Sequence, residues 1–279
     1  MMTSKRQSIS ETVKDPAKHQ NLKYHVVRAL IILMFLGAWE LFTRSGLIDP
    51  FYVSSPSQVI NDFREFYQSG ALVKHTGVTL FEAFSGLVIG VIVGILSGFL
   101  LGRVQTLGAV FEPIITALYG IPKLALAPVF VLWFGLGLES KVFLSGLMVF
   151  YLVFFSTYGG IKSVDRNLIA SVRLLGATDL QVMTKVVLPS TVPWILSGVR
   201  GGVGASLIGA IVGEYMGASS GLGWMLAYAS SFFEISRVMS CILLLLLIGI
   251  FFNYSLKYTE TRLLRWRPAV EYGSENAGR

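Results

Sequence analysis

The sequence predicts an all-α integral membrane protein with about six transmembrane helices. Of its 279 residues, 53% are hydrophobic and only 14% are charged, and the mean hydropathy of +0.66 is far above that of a soluble domain. A bilayer core about 30 Å thick requires about 20 mainly apolar residues in each spanning helix. Six stretches approach this length, at residues 26–42, 78–101, 107–134, 142–157, 192–216 and 238–256.

The distribution of basic residues predicts the orientation of these spans. With the N-terminus inside, the outer segments hold five of the 23 Lys and Arg residues: Arg44, Arg64, Lys74, Lys141 and Arg237. Lys123 and Arg200 fall within spans, and all the others lie in inner segments. Basic loops resist translocation, so this asymmetry places both termini in the cytoplasm. The net charge of +7 then reflects topology, and no nucleic-acid partner is expected.

The expected organisation is a single transmembrane domain between two polar tails. Residues 1–25 form a cytoplasmic N-terminal tail, 26–258 the membrane domain, and 259–279 a cytoplasmic C-terminal tail. The first apolar stretch lacks a following small-residue cleavage site, which favours a retained anchor over a removed signal peptide. The protein is therefore expected to cross a membrane several times, in contact with lipid.

The elements between the first and fourth spans have clear local signals. Ser54-Ser55-Pro56 predicts the start of an amphipathic helix that Gly70 ends. The second span then carries five glycines at a spacing of four, which predicts a close helix contact, with pathway lining as the alternative. They are Gly86, Gly90, Gly94, Gly98 and Gly102. In the third span, proline at Pro122 predicts a kink or break beside the charge of Lys123.

The sequence offers no catalytic or metal site. It contains no GxxxxGK[ST] loop for ATP phosphates, and its three histidines are divided between the tail and the outer face. The stretch from Gly217 to Gly221 matches G-x-S-x-G, but it follows a membrane helix without the strand-to-helix turn that this motif requires. The single cysteine, Cys241, excludes an internal disulfide. We therefore expect no enzyme and no cofactor in this chain.

Residues 160–189 between the fourth and fifth spans are patterned as helix, turn and helix. Apolar positions recur at helical spacing from Asp165 to Leu175, and Gly176 supplies a left-handed stop. Thr178 or Asp179 can cap a second helix, which is predicted to end before Leu188-Pro189.

This segment resembles the cytoplasmic signature of type I binding-protein-dependent ABC importer permeases. That signature reads EAA, three residues, G, nine residues, I, one residue, L-P. The matching positions here are Ala170-Ser171-Val172, Gly176, Val186 and Leu188-Pro189. Every interval is kept, although Ala170 replaces the signature glutamate and Val186 the isoleucine.

The resemblance implies a location in a bacterial inner membrane, a MetI-like fold and a coupling loop, residues 160–189, that docks on a separate ATPase. The residues implied to couple are Ala170, Ser171, Val172, Arg173, Leu175, Gly176, Ala177, Thr178, Asp179, Leu188 and Pro189. The implied partners are two copies of an ABC ATPase that holds ATP and Mg²⁺, a second copy of this chain, and a periplasmic or lipid-anchored substrate-binding protein.

Further motifs are similar to the branch that handles nitrate, taurine and aliphatic sulfonates, so a small anionic solute is the expected substrate. These motifs are residues 54–57, residues 121–125 together with 132–135, and residues 213–223. The candidate pathway residues are Pro122, Lys123, Arg200 and Glu214. Lys123 can instead pair with a helix-end carbonyl or Glu82, Arg200 can snorkel, and Glu214 can brace the following loop. The alternative function is a gradient-driven secondary transporter, which would require carboxylates deeper in the spans.

Overall fold

A computed structural model describes residues 16–263, and all regular secondary structure in that range is helical. The helices are α1 Pro16–Arg44, α2 Pro50–Val53, α3 Pro56–Gln68, α4 Ala71–Arg103, α5 Gln105–Tyr119, α6 Ala127–Phe134, α7 Leu138–Lys162, α8 Arg166–Leu174, α9 Asp179–Val182, α10 Leu188–Met216, α11 Leu222–Ser231 and α12 Ile235–Leu263. A 3-10 turn at Lys123–Leu126 precedes α6, and a π-helical turn at Met183–Val187 joins α9 to α10. Helix α1 begins within the predicted N-terminal tail, α12 ends within the predicted C-terminal tail, and the rest of both tails lies outside the described residues.

Five helical segments of the described chain are long and apolar enough to cross a membrane on their own. They are Val26–Arg44, Ala71–Arg103, Leu138–Lys162, Asp179–Met216 and Ile235–Arg262. Gln105–Tyr119 and Lys123–Phe134 form a sixth candidate, bent by 81°. This architecture confirms the predicted all-α membrane fold and places a sharp bend beside Pro122.

The packing of α4 against α7 accounts for the glycine stripe. A Cβ atom on Gly90 would lie 2.5 Å from the carbonyl oxygen of Gly146, and one on Gly94 would lie 2.9 Å from Cβ of Val153. Such distances leave no room for any side chain. The five glycines therefore allow the two backbones to approach closely, as expected for small residues in membrane helices.

The register of these contacts establishes how the core helices run. Gly86 faces Ser145, Gly90 faces Val149, and Gly98 faces Thr157, so α4 and α7 are parallel. The chain from 105 to 134 must then return to the side where α4 began, which makes the bent pair α5–α6 one crossing. Helix α10 runs antiparallel to α7, because Gly160 contacts Trp194 near the start of α10 while Gly213 near its end contacts Lys141.

Helices α3, α11 and α12 pack together at one end of this core. Phe66 of α3, Leu222 and Met225 of α11, and Cys241 and Leu244 of α12 form a buried apolar cluster. We call this end of the bundle the α11 end, and the opposite end, which carries α8 and α9, the α8 end.

Helix α3 is held to α12 by an ion pair. Both carboxylate oxygens of Asp62 accept from Nε of Arg237, at 2.9 and 3.0 Å. Asp62 therefore points into the bundle, although the amphipathic pattern of α3 would turn it toward water. A hydrogen-bonded ion pair can be buried at a position where a single unpaired charge would be costly.

Candidate functional site

The segment between α7 and α10 is built by standard helix caps. The carboxylate of Asp165 accepts from the backbone N–H of Asn167 at 2.8 Å and starts α8. Gly176 ends it with φ +84°. The N–H groups of Gly176 and Ala177 donate to Arg173 O at 2.9 Å and Val172 O at 3.2 Å. These two bonds form a Schellman motif, which fixes the turn after α8.

Thr178 begins the second helix through a reciprocal capping box. Its hydroxyl accepts from the N–H of Gln181 at 3.3 Å, and the Gln181 side chain accepts from the Thr178 N–H at 2.8 Å. Across the turn, Arg173 donates to Asp179 at 2.8 Å. The expected cap at Thr178 or Asp179 is thus formed by Thr178, and Asp179 instead links α9 to α8.

The prediction that the second helix ends before Leu188-Pro189 is wrong. Helical structure continues from Asp179 to Met216, and Leu188 and Pro189 form the first turn of α10. The π-helical turn explains the continuity. The N–H of Leu188 donates five residues back to Met183 O, which widens the helix just before the proline ring. Helix α9 and the fifth span therefore form one continuous helical segment.

The surface of the segment carries unpartnered apolar side chains. Leu174 is 89% exposed, Leu175 87% and Leu180 73%. Of the predicted coupling residues, Val172 and Ala177 are half-buried against the turn and the others are exposed. Clustered leucines with nearby charges resemble the core and rim of a protein interface. The segment therefore presents an exposed apolar surface with charges beside it.

Lys123 lies at the bend of the third span, as expected, but its partners belong to the bend itself. Its ammonium donates to Tyr119 O at 2.6 Å and lies 3.8 Å from the Tyr119 ring centroid and 5.1 Å from that of Tyr151. Pro122 precedes this turn as its N-cap. The structure thus contains the helix-end carbonyl contact and places Glu82 elsewhere.

Arg200 forms an ion pair with Glu260 of α12. Its side chain is 48% exposed and that of Glu260 is 28% exposed. The sequence alone does not predict this partner, because 60 positions separate the two residues and Glu260 falls within the predicted C-terminal tail. The pair connects the fifth and sixth spans toward the α8 end.

Glu214 is buried in the bundle, with 1% exposure, and it braces the loop after α10. One carboxylate oxygen accepts from the Thr79 hydroxyl at 2.6 Å, and the other accepts from the Gly223 N–H at 2.6 Å. The Thr79 hydroxyl also accepts from the Leu222 N–H at 2.8 Å. Of the two expectations for Glu214, the structure shows the loop contact and provides no open pathway surface at this residue.

Lys141, predicted from the sequence to lie in an outer segment, is a second buried charge beside Glu214. It is 1% exposed, and its ammonium donates to Gly137 O at 2.9 Å and also to Leu136 O and Gly217 O. Lys141 therefore ties the turn between α6 and α7 to the end of α10. We call the set His75, Thr79, Glu82, Lys141 and Glu214 the polar cluster.

The sequence did contain a signal for the polar cluster. His75, Thr79 and Glu82 follow one another at spacings of four and three, and they continue the line of the glycine stripe that begins at Gly86. Because Gly86 faces Ser145, the same register places Glu82 beside Lys141, each four residues earlier on its helix. A polar line continuous with a packing stripe indicates buried contacts between helices.

Comparison with known proteins identifies the family. The family model described as "Binding-protein-dependent transport system inner membrane component" matches residues 86–265, more than half of the chain. The chain belongs to this family. It is the membrane-embedded permease subunit of an ABC importer, so ATP hydrolysis takes place on separate ATPase subunits and a binding protein acts with the complex.

Individual relatives agree with this membership. An aliphatic sulfonates transport permease, SsuC of Bacillus subtilis, is 30% identical over 250 residues, covering 89% of this chain and 91% of the relative. A formylaminopyrimidine transport permease, ThiX of Halalkalibacterium halodurans, is 34% identical over 238 residues, covering 85% and 94%. The permease family does not favour the alternative of a secondary transporter.

A solved structure has the same fold. The MetNI methionine ABC transporter in an inward-facing conformation aligns with a TM-score of 0.58 and 20% identity, covering 70% of this chain and 95% of that chain. At this identity the likeness concerns the fold, and it confirms the predicted MetI-like architecture.

Proposed function

We propose that this permease moves a small anionic solute, of the nitrate, taurine or aliphatic sulfonate type, through a homodimer driven by two ATPase subunits. The observation that carries the coupling role is the capped α8–α9 segment, with its exposed leucines joined directly to α10. A soluble or lipid-anchored binding protein delivers the solute to the α11 end. ATP and Mg²⁺ belong to the ATPase subunits.

The proposed orientation places the α8 end and both termini in the cytoplasm of a cell whose inner membrane holds the complex. The basic residues Arg166, Arg173 and Lys185 lie on the segment at this end, which agrees with the positive-inside rule. The ATPase subunits then dock on the α8–α9 surface, where Leu174, Leu175 and Leu180 supply apolar contact.

The coupling mechanism follows from the continuity of the helices. When the two ATPase subunits close around ATP, they displace α8 and α9. Because α9 continues into α10 without a break, the displacement turns the fifth span as a lever. The glycine contacts between α10 and α7, including Gly198 and Gly209, carry the motion into the core, since closely packed helices move together.

The pathway is proposed to lie between the third and fifth spans of the two copies. Lys123 and Arg200 provide positive charge there, which lowers the electrostatic barrier for an anion. Pro122 sets the bend that presents Lys123. We assign Glu214 a positioning role, because both of its oxygens are occupied. The sulfonate permease among the relatives supports this substrate class.

Reconstitution of the complex tests the proposal. Vesicles would contain this permease with its ATPase, and the binding protein would be added outside with radiolabelled nitrate, taurine or ethanesulfonate. Uptake of at least one of these anions that requires both ATP and the binding protein is the expected result. Uptake of a neutral pyrimidine alone would overturn the anionic class. Uptake driven by a proton gradient without the ATPase would overturn the coupling role.

A further inference from the structure

Helix α10 has one face that the other described residues, within 16–263, leave open. Ser197, Gly201, Gly204, Ile208 and Tyr215 are exposed and recur at intervals of three, four and seven residues, which places them along one side of the helix. The opposite side, with Gly198, Gly202 and Gly209, is buried against α7. The open face is the surface of the fifth span that the proposed pathway uses.

Arg200 lies at the edge of this open face, and its charge is matched by the carboxylate of Glu260. The Arg200 side chain is 48% exposed, so a solute on the open face can reach it. A guanidinium in a membrane span needs a counter-charge, because an unpaired charge there is costly to insert into the bilayer. Glu260 supplies this counter-charge when no solute is present.

A transported anion would compete with Glu260 for the same donor groups. Sulfonate and nitrate, like carboxylate, each offer two oxygens that can accept two parallel hydrogen bonds from one guanidinium. If Arg200 had no competing partner, it would hold an anion tightly and slow its release. A resident carboxylate at the same guanidinium weakens that hold without removing the attraction.

We propose that Glu260 is a competing counter-ion that displaces the transported anion from Arg200 and so promotes its release at the α8 end. This inference rests on the proposed anionic substrate and adds a residue of α12 to the pathway. The anion replaces Glu260 on Arg200 as it passes along the open face. Return of Glu260 then frees the anion on the side where α12 ends.

Product inhibition from inside the vesicle tests this role directly. The complex would be reconstituted in phosphatidylcholine vesicles, so that anionic lipids do not occupy Arg200, with ethanesulfonate loaded inside at increasing concentrations. Uptake of labelled ethanesulfonate from the loaded binding protein is then measured for wild type and Glu260→Gln. Arg262→Gln is the matched control, because it changes the charge of α12 two residues away while contacting Tyr258.

We expect Glu260→Gln to be inhibited at about tenfold lower internal ethanesulfonate than wild type, since the unopposed guanidinium holds the anion longer. Arg262→Gln should be inhibited at the wild-type concentration. Equal inhibition of Glu260→Gln and wild type overturns the counter-ion role.

The exchanged variant Arg200→Glu with Glu260→Arg separates this role from a structural ion pair. It rebuilds the pair but places a carboxylate beside the open face, so uptake should fall by about tenfold or more. Uptake restored to wild type would mean that the pair only holds α10 to α12, and would overturn the proposal. If this variant fails to assemble with the ATPase, the Glu260→Gln result decides. Wild-type vesicles that transport none of the anions would instead refute the proposed function itself.

Discussion

At the scale of single residues, the polar cluster connects helices α4, α7, α10 and α11 at the α11 end. Glu214 and Thr79 join α10, α4 and the start of α11, and Lys141 joins α7 to Gly217 and the turn before α7. Each contact satisfies a backbone group or a charge that lipid cannot solvate. The cluster therefore holds the loop 217–223 in one position relative to the core.

Replacing Thr79 with valine tests this assignment. Valine has the same shape but no hydroxyl, so it leaves the Leu222 N–H and one Glu214 oxygen without a buried partner. We expect a loss of about 1–3 kcal/mol in stability, seen as a lower midpoint for thermal aggregation of the detergent-solubilised complex. Thr79→Ser keeps the hydroxyl and should stay near wild type. Equal midpoints for both variants would contradict the role of this hydroxyl.

The glycine stripe gives a second residue-scale prediction. Alanine at Gly90 would place its Cβ 2.5 Å from Gly146 O, whereas Gly77, on the same helix, has nothing within 4 Å. Gly90→Ala should therefore separate α4 from α7 and cost about 1–3 kcal/mol, while Gly77→Ala should be neutral or slightly stabilising. The thermal midpoints of the two variants provide the measurement. A Gly90→Ala protein as stable as Gly77→Ala would exclude this packing.

At the scale of elements, Gly176 determines the angle between α8 and α9. A Cβ at this position would meet nothing within 4 Å, yet φ is +84°, so any penalty comes from backbone conformation alone. Valine should cost about 1–2 kcal/mol locally and shift the α8–α9 surface. We expect Gly176→Val to insert normally while uptake per ATP hydrolysed falls, and Gly176→Asn, which tolerates this conformation, to remain coupled. Normal coupling by Gly176→Val would argue against the docking role.

The elements also show what sequence can and cannot predict. The length of the apolar stretches predicts the spans, and Pro122 predicts the bend of the third span, because each of these signals acts within one helix. The prediction for Pro189 is wrong because local rules treat proline as the end of a helix. The π-helical turn just before Pro189 lets the helix continue through it. The burial of Lys141 and the partner of Arg200 depend on contacts between distant helices, which no local pattern contains.

At the scale of the whole molecule, the parallel packing of α4 and α7 constrains the path of the chain. Two parallel neighbours require an odd number of crossings between them, which the bent α5–α6 pair supplies. Together with the five long apolar helices, this pair gives the described chain six candidate crossings, and it places the α8 and α11 ends on opposite sides of the bundle. Hydropathy alone does not show whether the irregular third stretch is one crossing. The parallel register between α4 and α7 shows that it is.

Thiol labelling in intact cells tests the orientation of this arrangement. Asn167 on α8 and Gln68 at the end of α3 are both exposed, and single cysteines at these sites would lie on opposite sides of the membrane. A membrane-impermeant maleimide should label Gln68→Cys in intact cells and Asn167→Cys only after the cells are opened. Cys241 is fully buried and provides the background signal of the parent chain. Labelling of Asn167→Cys in intact cells would place the α8 end outside, beyond reach of any cytoplasmic ATPase, and would overturn the proposed coupling.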